Sequence, residues 1–501
     1  MLPSVCRRAA LFLCTLSMIA ASAIILSADQ AAAAGFEVGE NTPRALARGG
    51  TGVVNTGDSS ALYFNPALLS RVDGAQVLLS SNILNLDVEF QRDDFYVEPG
   101  GEPDRVFERA TNQTGLFPAP FLTASFNITD DFTVGAGLFG PPAYGNPCYG
   151  PIEDGECQLD PTGATRGMVI EADMIVAYGS LGAGYGITLG DDRRLDVGLT
   201  AALAYQQTQF AVVADAQYPI QSPWEEDPHH EAYFRGEDLS GMAPTGIVGL
   251  AYQDGPLRLA LSYRPPIRWR TTGEANVEFS QFLQDMNSEL TDDTMYLETW
   301  QAGSLRFGWG LQWGEHPADS QRPRWDLEIN TIWENWSVVD NFQLEFDGDI
   351  YVDNINTELP LHPVYQRKGY QDTISIRTGL SYGVNSRLTA HGGAFFETAA
   401  QPVAYTSADF VSWERYSASL GTSIYLPANI TLDLGYAFIY SPDRTVRNGQ
   451  VYNPIPMSNC RGPDYNDSSC TQPGQPPGNP QNEGTWRANF QIFSAGLSWN
   501  Y

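Results

Sequence analysis

Few residues in this 501-residue chain have the type and spacing that chemistry requires. His391 stands between Ala390 and Gly392, and a lipid hydrolase would need a nucleophile within reach of such a base, yet spacing assigns it no serine. His229-His230-Glu231 follow Asp227-Pro228, but adjacent side chains on an extended chain point to opposite sides, so the pair does not converge on a metal. Cys148 with Cys157, and Cys460 with Cys470, form two close pairs among Pro, Gly, Asn and Asp. Neither spacing is Cys-x-x-Cys and no histidine lies close, which argues against a metal or redox site. Four cysteines permit three pairings, and the local one is most economical, each bridge tying off one loop in an oxidising compartment. Arg258, Arg264 and Arg377 offer something different, because a guanidinium beside an apolar slot is what a fatty carboxylate needs. An aromatic hydrocarbon would need no such anchor.

The elements that carry these arginines are strands. Leu84 to Phe90, Leu122 to Ile128, Phe132 to Leu138, Leu195 to Tyr205, Leu257 to Tyr263, Leu305 to Trp313, Trp325 to Ile329, Ile374 to Tyr382, Leu388 to Phe396, Tyr416 to Leu426 and Ile430 to Phe438 alternate with period two. Helical spacing cannot produce that pattern. Weaker alternation at 173–188 and 243–252, with the closing run Phe493 to Tyr501, brings the expected strands to fourteen. The arginines fall among the polar positions, as they must, since an arginine facing lipid at mid-membrane costs roughly 2 to 4 kcal/mol. Short turns at Asp130-Asp131, Gly190 to Arg194, Gln253 to Pro256, Asn385-Ser386 and Pro427 to Asn429 interleave with long loops expected near 91–120, 140–172, 206–242, 266–303, 334–372 and 441–486. The expectation is an all-β fold, a fourteen-stranded antiparallel transmembrane β-barrel over 75–501, with short turns periplasmic and long loops extracellular. A soluble sandwich or propeller shares the alternation but explains neither this asymmetry nor the terminal aromatic.

The ends and the composition point to the same compartment. Arg7 and Arg8 precede an apolar stretch to Leu26 and an alanine run, Ala31 to Ala34, so residues 1–33 read as a cleaved signal peptide; an uncleaved anchor is the alternative. No later segment approaches twenty unbroken apolar residues. A net charge of −31 argues against nucleic acid as a partner. It suits lipopolysaccharide rich in divalent cations, or simple solvation of long loops. Lys368 is the only lysine, and Tyr501, the closing aromatic, is the expected handle for the barrel assembly machinery.

Residues 34–74 do not alternate, and irregular backbone is tolerated at membrane depth only inside protein or beside a water-filled cavity. The expected place is the lumen, as a plug. Gly35-Phe36, Arg48-Gly49-Gly50 to Gly52 and, above all, Tyr63-Phe64-Asn65-Pro66-Ala67 resemble the hatch of the outer-membrane long-chain fatty acid transporter family, the FadL/TodX-like channels. Leu259 to Arg264 running on to Gly273 resembles the family's central strand. Lys368-Gly369-Tyr370-Gln371-Asp372 leading into Ile376 to Leu380, and Gly393-Ala394-Phe395-Phe396, resemble its later strand pair. The resemblance implies a transporter with neither enzymatic activity nor cofactor. A long-chain fatty acid or other hydrophobic compound is caught at the extracellular loops and leaves sideways where the third strand kinks, near Asn65, Pro66 and Ala67. Gly140-Pro141-Pro142, directly after the third expected strand, fit such a kink because proline cannot donate to a ladder; the alternative is that they merely begin a loop. An aromatic hydrocarbon channel of the same family, a general porin and a lipid hydrolase are the rival functions, and the plug speaks against the porin.

Overall fold

The computed structural model describes residues 37, 40–94, 106–141, 147–160, 162–215, 231–317, 319–453 and 480–501. The expected leader, Pro142, His229, His230, Cys460 and Cys470 lie outside the described residues.

Fourteen antiparallel strands close into one barrel. They are β1 (Ala75–Arg92), β2 (Ala110–Thr111 and Phe117–Thr129), β3 (Phe132–Phe139), β4 (Glu171–Thr188), β5 (Arg193–Asp215), β6 (Glu231–Asp254) and β7 (Leu257–Arg264 and Ile267–Glu278). There follow β8 (Thr294–Gln301 and Ser304–His316), β9 (Asp319–Glu334 and Asn341–Phe346), β10 (Val364–Arg367 and Thr373–Asn385), β11 (Leu388–Glu397), β12 (Arg415–Leu426), β13 (Ile430–Val446) and β14 (Gly484–Asn500). Each pairs with the next, and β14 returns to β1 along its whole length, from Gln76↔Asn500 to Arg92↔Gly484. The period-two pattern makes the wall. Leu79, Phe126, Leu181, Leu203, Phe307, Leu420, Phe493 and Leu497 stand exposed outside, where lipid solvates them, while Asp196, Arg264, Glu328, Arg377 and Asp433 are buried inside. At one rim Trp313 stacks on Trp325 (6.0 Å between ring centres) and Trp325 meets Tyr382 at a tilt (4.2 Å), as an interfacial aromatic belt.

Two of the expected loops prove to be largely strand, and a third contributes two short wall segments. β5 runs on to Asp215 and β6 starts at Glu231, so 206–242 is mostly wall; Ile267–Glu278 and Thr294–Gln301 do the same for 266–303, and Asn341–Phe346 and Val364–Arg367 are the short segments within 334–372. The physical reason is an inversion of polarity. Above the lipid the outer face is wet, and there Arg268 and Arg270 pair with Glu298 (2.6 and 2.9 Å) and Arg270 with Glu345 (3.2 Å), while the inner face buries Trp269, Leu297 and Leu344. A pattern of apolar-out alternation does not find such strands.

Ahead of β1, Pro43–Ala47 (α1), Ala61–Phe64 (α2) and a 3-10 turn, Pro66–Arg71, are joined by irregular backbone and are almost wholly buried. α1 packs against β11 to β14 and β1, α2 against β3 and β4, and the 3-10 turn against β3 to β6. Only the bore of a closed barrel gives one short segment so many strands as neighbours.

Candidate functional site

The Asn-Pro-Ala motif is the pivot of this inner segment. The Asn65 side chain caps the 3-10 turn by accepting from Ala67 N (3.1 Å), and its amide donates to Val53 O (3.0 Å) and to Leu250 O of β6 (3.2 Å). Pro66 at the first position of the turn has no N–H to leave unpaired. The fit requires glycine in the wall: a Cβ at Gly249 would lie 2.0 Å from Asn65 Oδ1, and one at Gly393 would lie 2.1 Å from the Arg48 carbonyl carbon.

Ion pairs fasten the segment all round. Arg48 donates to Asp326 (2.7 Å) and Glu328 (3.2 Å), and Glu328 Oε1 also accepts from Gly52 N (3.1 Å) and Val54 N (2.9 Å). Arg44 meets Asp58 (3.2 Å) and Asp433 (3.3 Å), and Arg71 meets Asp196 (2.6 Å). For Asp196, Asp326, Glu328 and Asp433 the sequence carries one signal, an acidic residue on the inward side of a membrane strand; Asp58, in the leading segment itself, has none.

The three arginines expected to anchor a carboxylate all lie on the inner wall but are not brought together as one site. Arg258 sits by the periplasmic turn, bonded to Gly255 O (2.8 Å) and Gln312 (2.9 Å). Arg264 pairs with Glu37 (2.8 Å), and Arg377 with Glu40 (2.6 Å) and Glu397 (3.0 Å). Arg306 donates to Tyr63 OH (3.0 Å) and lies over its ring.

Two cavities flank this charged layer. The upper is an apolar cleft lined by Met168, Met174, Phe210, Val212, Leu297, Phe342 and Leu344, with about 50 Å³ of free space. That is less than the roughly 150 Å³ in which a protein cavity takes up benzene, so occupancy requires side chains to move, and the two methionines are suited to it. At its edge stand Asp409 and Phe410; Lys368 donates to Asp409 and lies over the Phe342 ring. Burial pushes the Lys368 ammonium below the ordinary lysine value, and Asp409 opposes that shift only in part. The lower cavity, about 740 Å³, is a polar vestibule at the periplasmic rim, lined by Arg44, Arg48, Arg322, Arg324, Asp326 and His391 among others.

His391 in the vestibule does have serine neighbours. Ser381 Oγ lies 2.8 Å from Nδ1 and Ser423 Oγ 2.8 Å from Nε2, both supplied across strands and therefore invisible to spacing. The acid of the row, Asp433, accepts from Ser423 rather than from the histidine, so the order is not that of a nucleophile, base and orienting acid. Among the described residues no group of His, Cys, Asp and Glu is arranged to hold a metal.

Among the described residues the wall itself is interrupted. The β3 ladder ends with Phe121↔Phe139 on one side and Phe139↔Tyr178 on the other. Beyond it β4 residues 173–177 pair only with β5, and β2 residues Phe117–Pro120 only with β1, while higher up Cys148 bridges Glu171 and the Cys148 carbonyl accepts from Gln113 N (2.7 Å). Among the described residues no strand stands between them. Pro118 and Pro120 put no N–H on that uncovered edge, a signal present in the sequence that alternation alone overlooks. The inner segment reaches the break: Asn41 donates to Gly140 O (2.7 Å), Pro141 is buried, and Tyr63 packs edge-on to Phe139 (5.6 Å) and Phe121 (6.3 Å). Above it, Cys148 and Cys157 form a disulfide that closes a small hairpin.

Comparison with known proteins converges on one group. Residues 24–456 match the family model described as outer membrane protein transport protein (OMPP1/FadL/TodX). A 114-residue stretch is 25% identical to a protein of Neisseria meningitidis serogroup B named as an outer membrane protein, covering 22% of this chain and only 23% of that one. Among solved structures, a FadL homologue of Pseudomonas aeruginosa is similar with a TM-score of 0.69 and 15% identity, over 93% of this chain and 100% of that one. The toluene transporter TodX of Pseudomonas putida is similar with a TM-score of 0.58 and 16% identity, over 92% and 99%. The toluene transporter TbuX of Ralstonia pickettii gives 0.58 and 14%, over 93% and 100%. At these identities the structures speak for the fold.

Proposed function

The chain belongs to the OMPP1/FadL/TodX family of outer-membrane transporters of hydrophobic compounds, and on that premise we propose that it takes up long-chain fatty acids and releases them sideways through the break beside β3. The observation that carries this reading is the vertical order of the lumen. An apolar cleft lies above a layer of ion pairs and a wet, charged vestibule lies below it. A ligand of some 300 Å² of apolar surface forgoes roughly 7 kcal/mol by entering such a vestibule instead of lipid. The break in the ladder, held from inside by Asn41 at Gly140, offers the apolar alternative.

Aromatic hydrocarbons are the second reading, favoured by the ring-lined cleft, where Lys368 is already matched by Asp409. We further assign Tyr501, 88% exposed at the end of the closing strand, as the contact for the assembly machinery, and the lipopolysaccharide leaflet as the surroundings of the charged upper wall. Reconstituted liposomes test the transport reading. Oleate uptake with no swelling in sugars is expected, and fast swelling without oleate uptake would favour a porin.

A further inference from the structure

Arg264 and Arg377 both meet carboxylates of the leading segment, but they differ in what else holds them. Arg377 keeps a second carboxylate, Glu397, on the adjacent strand at 3.0 Å. For Arg264, Glu37 is the one carboxylate within reach among the described residues. Its other partners, Tyr178 OH (3.4 Å) and Ala302 O (3.1 Å), are neutral, its Nε makes no hydrogen bond, and it is 3% exposed. Withdrawing Glu37 would strand a buried guanidinium, which proteins do not tolerate without a replacement anion. The location adds meaning. Tyr178 packs edge-on to Phe139, the last rung of β3, at 6.1 Å, and Asn41, four residues after Glu37, holds Gly140. One short stretch thus both neutralises Arg264 and touches the break in the wall.

Building on the transport reading, we propose that Arg264 is a head-group site for a carboxylate ligand approaching the break, and that Glu37 is its resident occupant, exchanged one carboxylate for another. Exchange keeps Arg264 paired throughout. A long-chain alcohol or a hydrocarbon cannot release Glu37 on those terms, because it leaves the cation bare. The site therefore sorts ligands by charge, which the apolar cleft above cannot do. Gln301 Nε2, which donates to Glu37 Oε1 at 2.9 Å, supplies a second donor to whichever carboxylate is present.

The test compares oleate with oleyl alcohol, equal in chain and different in charge, as ligands of the purified full-length protein. Glu37→Gln removes the resident anion and is expected to raise the acid-over-alcohol preference in Kd at least tenfold. Arg264→Gln should bring that preference close to one, and in its background Glu37→Gln should no longer change it. Glu37→Asp, which keeps the charge, should resemble the wild type. Glu37 lies outside the strand ladder, and heat-modifiable migration on gels verifies that each barrel has closed. A preference altered less than twofold by Glu37→Gln in a closed barrel overturns the exchange while leaving transport standing. If the wild type binds neither ligand, the transport reading falls and this one with it.

Discussion

Replacing Glu328 with alanine should loosen the inner segment where it is most heavily fastened. The carboxylate is 1% exposed and accepts from Gly52 N, Val54 N and Arg48, while Arg48 retains Asp326 after its removal. The loss is therefore two charge-assisted bonds from backbone N–H groups, each worth about 1.5 to 3 kcal/mol, or about 3 to 6 kcal/mol together. Water from the neighbouring vestibule can reach part of this site, since Arg48 and Asp326 line it, which favours the lower end of the range. At about 1.4 kcal/mol per decade, the open population of residues 48–55 should rise between about a hundredfold and ten-thousandfold. Hydrogen exchange of a peptide spanning those residues reads this directly, and liposome swelling in a small sugar reads its consequence for permeability. Glu328→Gln, which keeps one acceptor oxygen, should fall between. An exchange rate within tenfold of the wild type in a closed barrel would refute the claim that this carboxylate pins the segment.

Asn65→Ala removes a cap and two further bonds to backbone carbonyls, about 2 to 3 kcal/mol, and should speed exchange at Ala67 by one to two decades without opening the barrel. Leu344→Trp overfills a cleft that already lacks space; at about 1 to 3 kcal/mol of overpacking it should raise the half-saturating concentration of oleate about tenfold or more, measured by uptake. Cys148→Ser with Cys157→Ser releases a bridge over a sequence separation of 9, worth about 2.5 kcal/mol in loop entropy. Limited proteolysis should then cut the hairpin while the strands stay protected.

Most of the wall was legible because lipid enforces a simple rule on the strands it touches, as Leu257 to Tyr263 and Ile430 to Phe438 show. Where strands deviate from that rule, a physical cause can be named. The runs at 173–188 and 243–252 alternate poorly because Gly182, Gly184 and Gly249 occupy inward positions where the inner segment presses close. Above the membrane, Trp269 and Leu344 point inward and Arg268 and Glu345 outward, so the same rule misread strands as loops. The site was half visible. Arg264 and Arg377 could be placed on the inner face by parity, but their counter-ions Glu37 and Glu40 lie 227 and 337 residues away, and no local pattern encodes that pairing. Ser381 and Ser423 reach His391 only through strand register, so no local spacing reveals them.

The exit route can be read by labelling. A long-chain fatty acid carrying a diazirine at its tail, photolysed during uptake by the reconstituted protein, is predicted to mark peptides of β2 around Phe117–Pro120 and of β4 around residues 173–177, the two edges that face each other beyond Phe139. Labels concentrated instead on Arg322, Arg324, Tyr425 and their neighbours in the periplasmic vestibule would contradict lateral release and place the path straight through the bore.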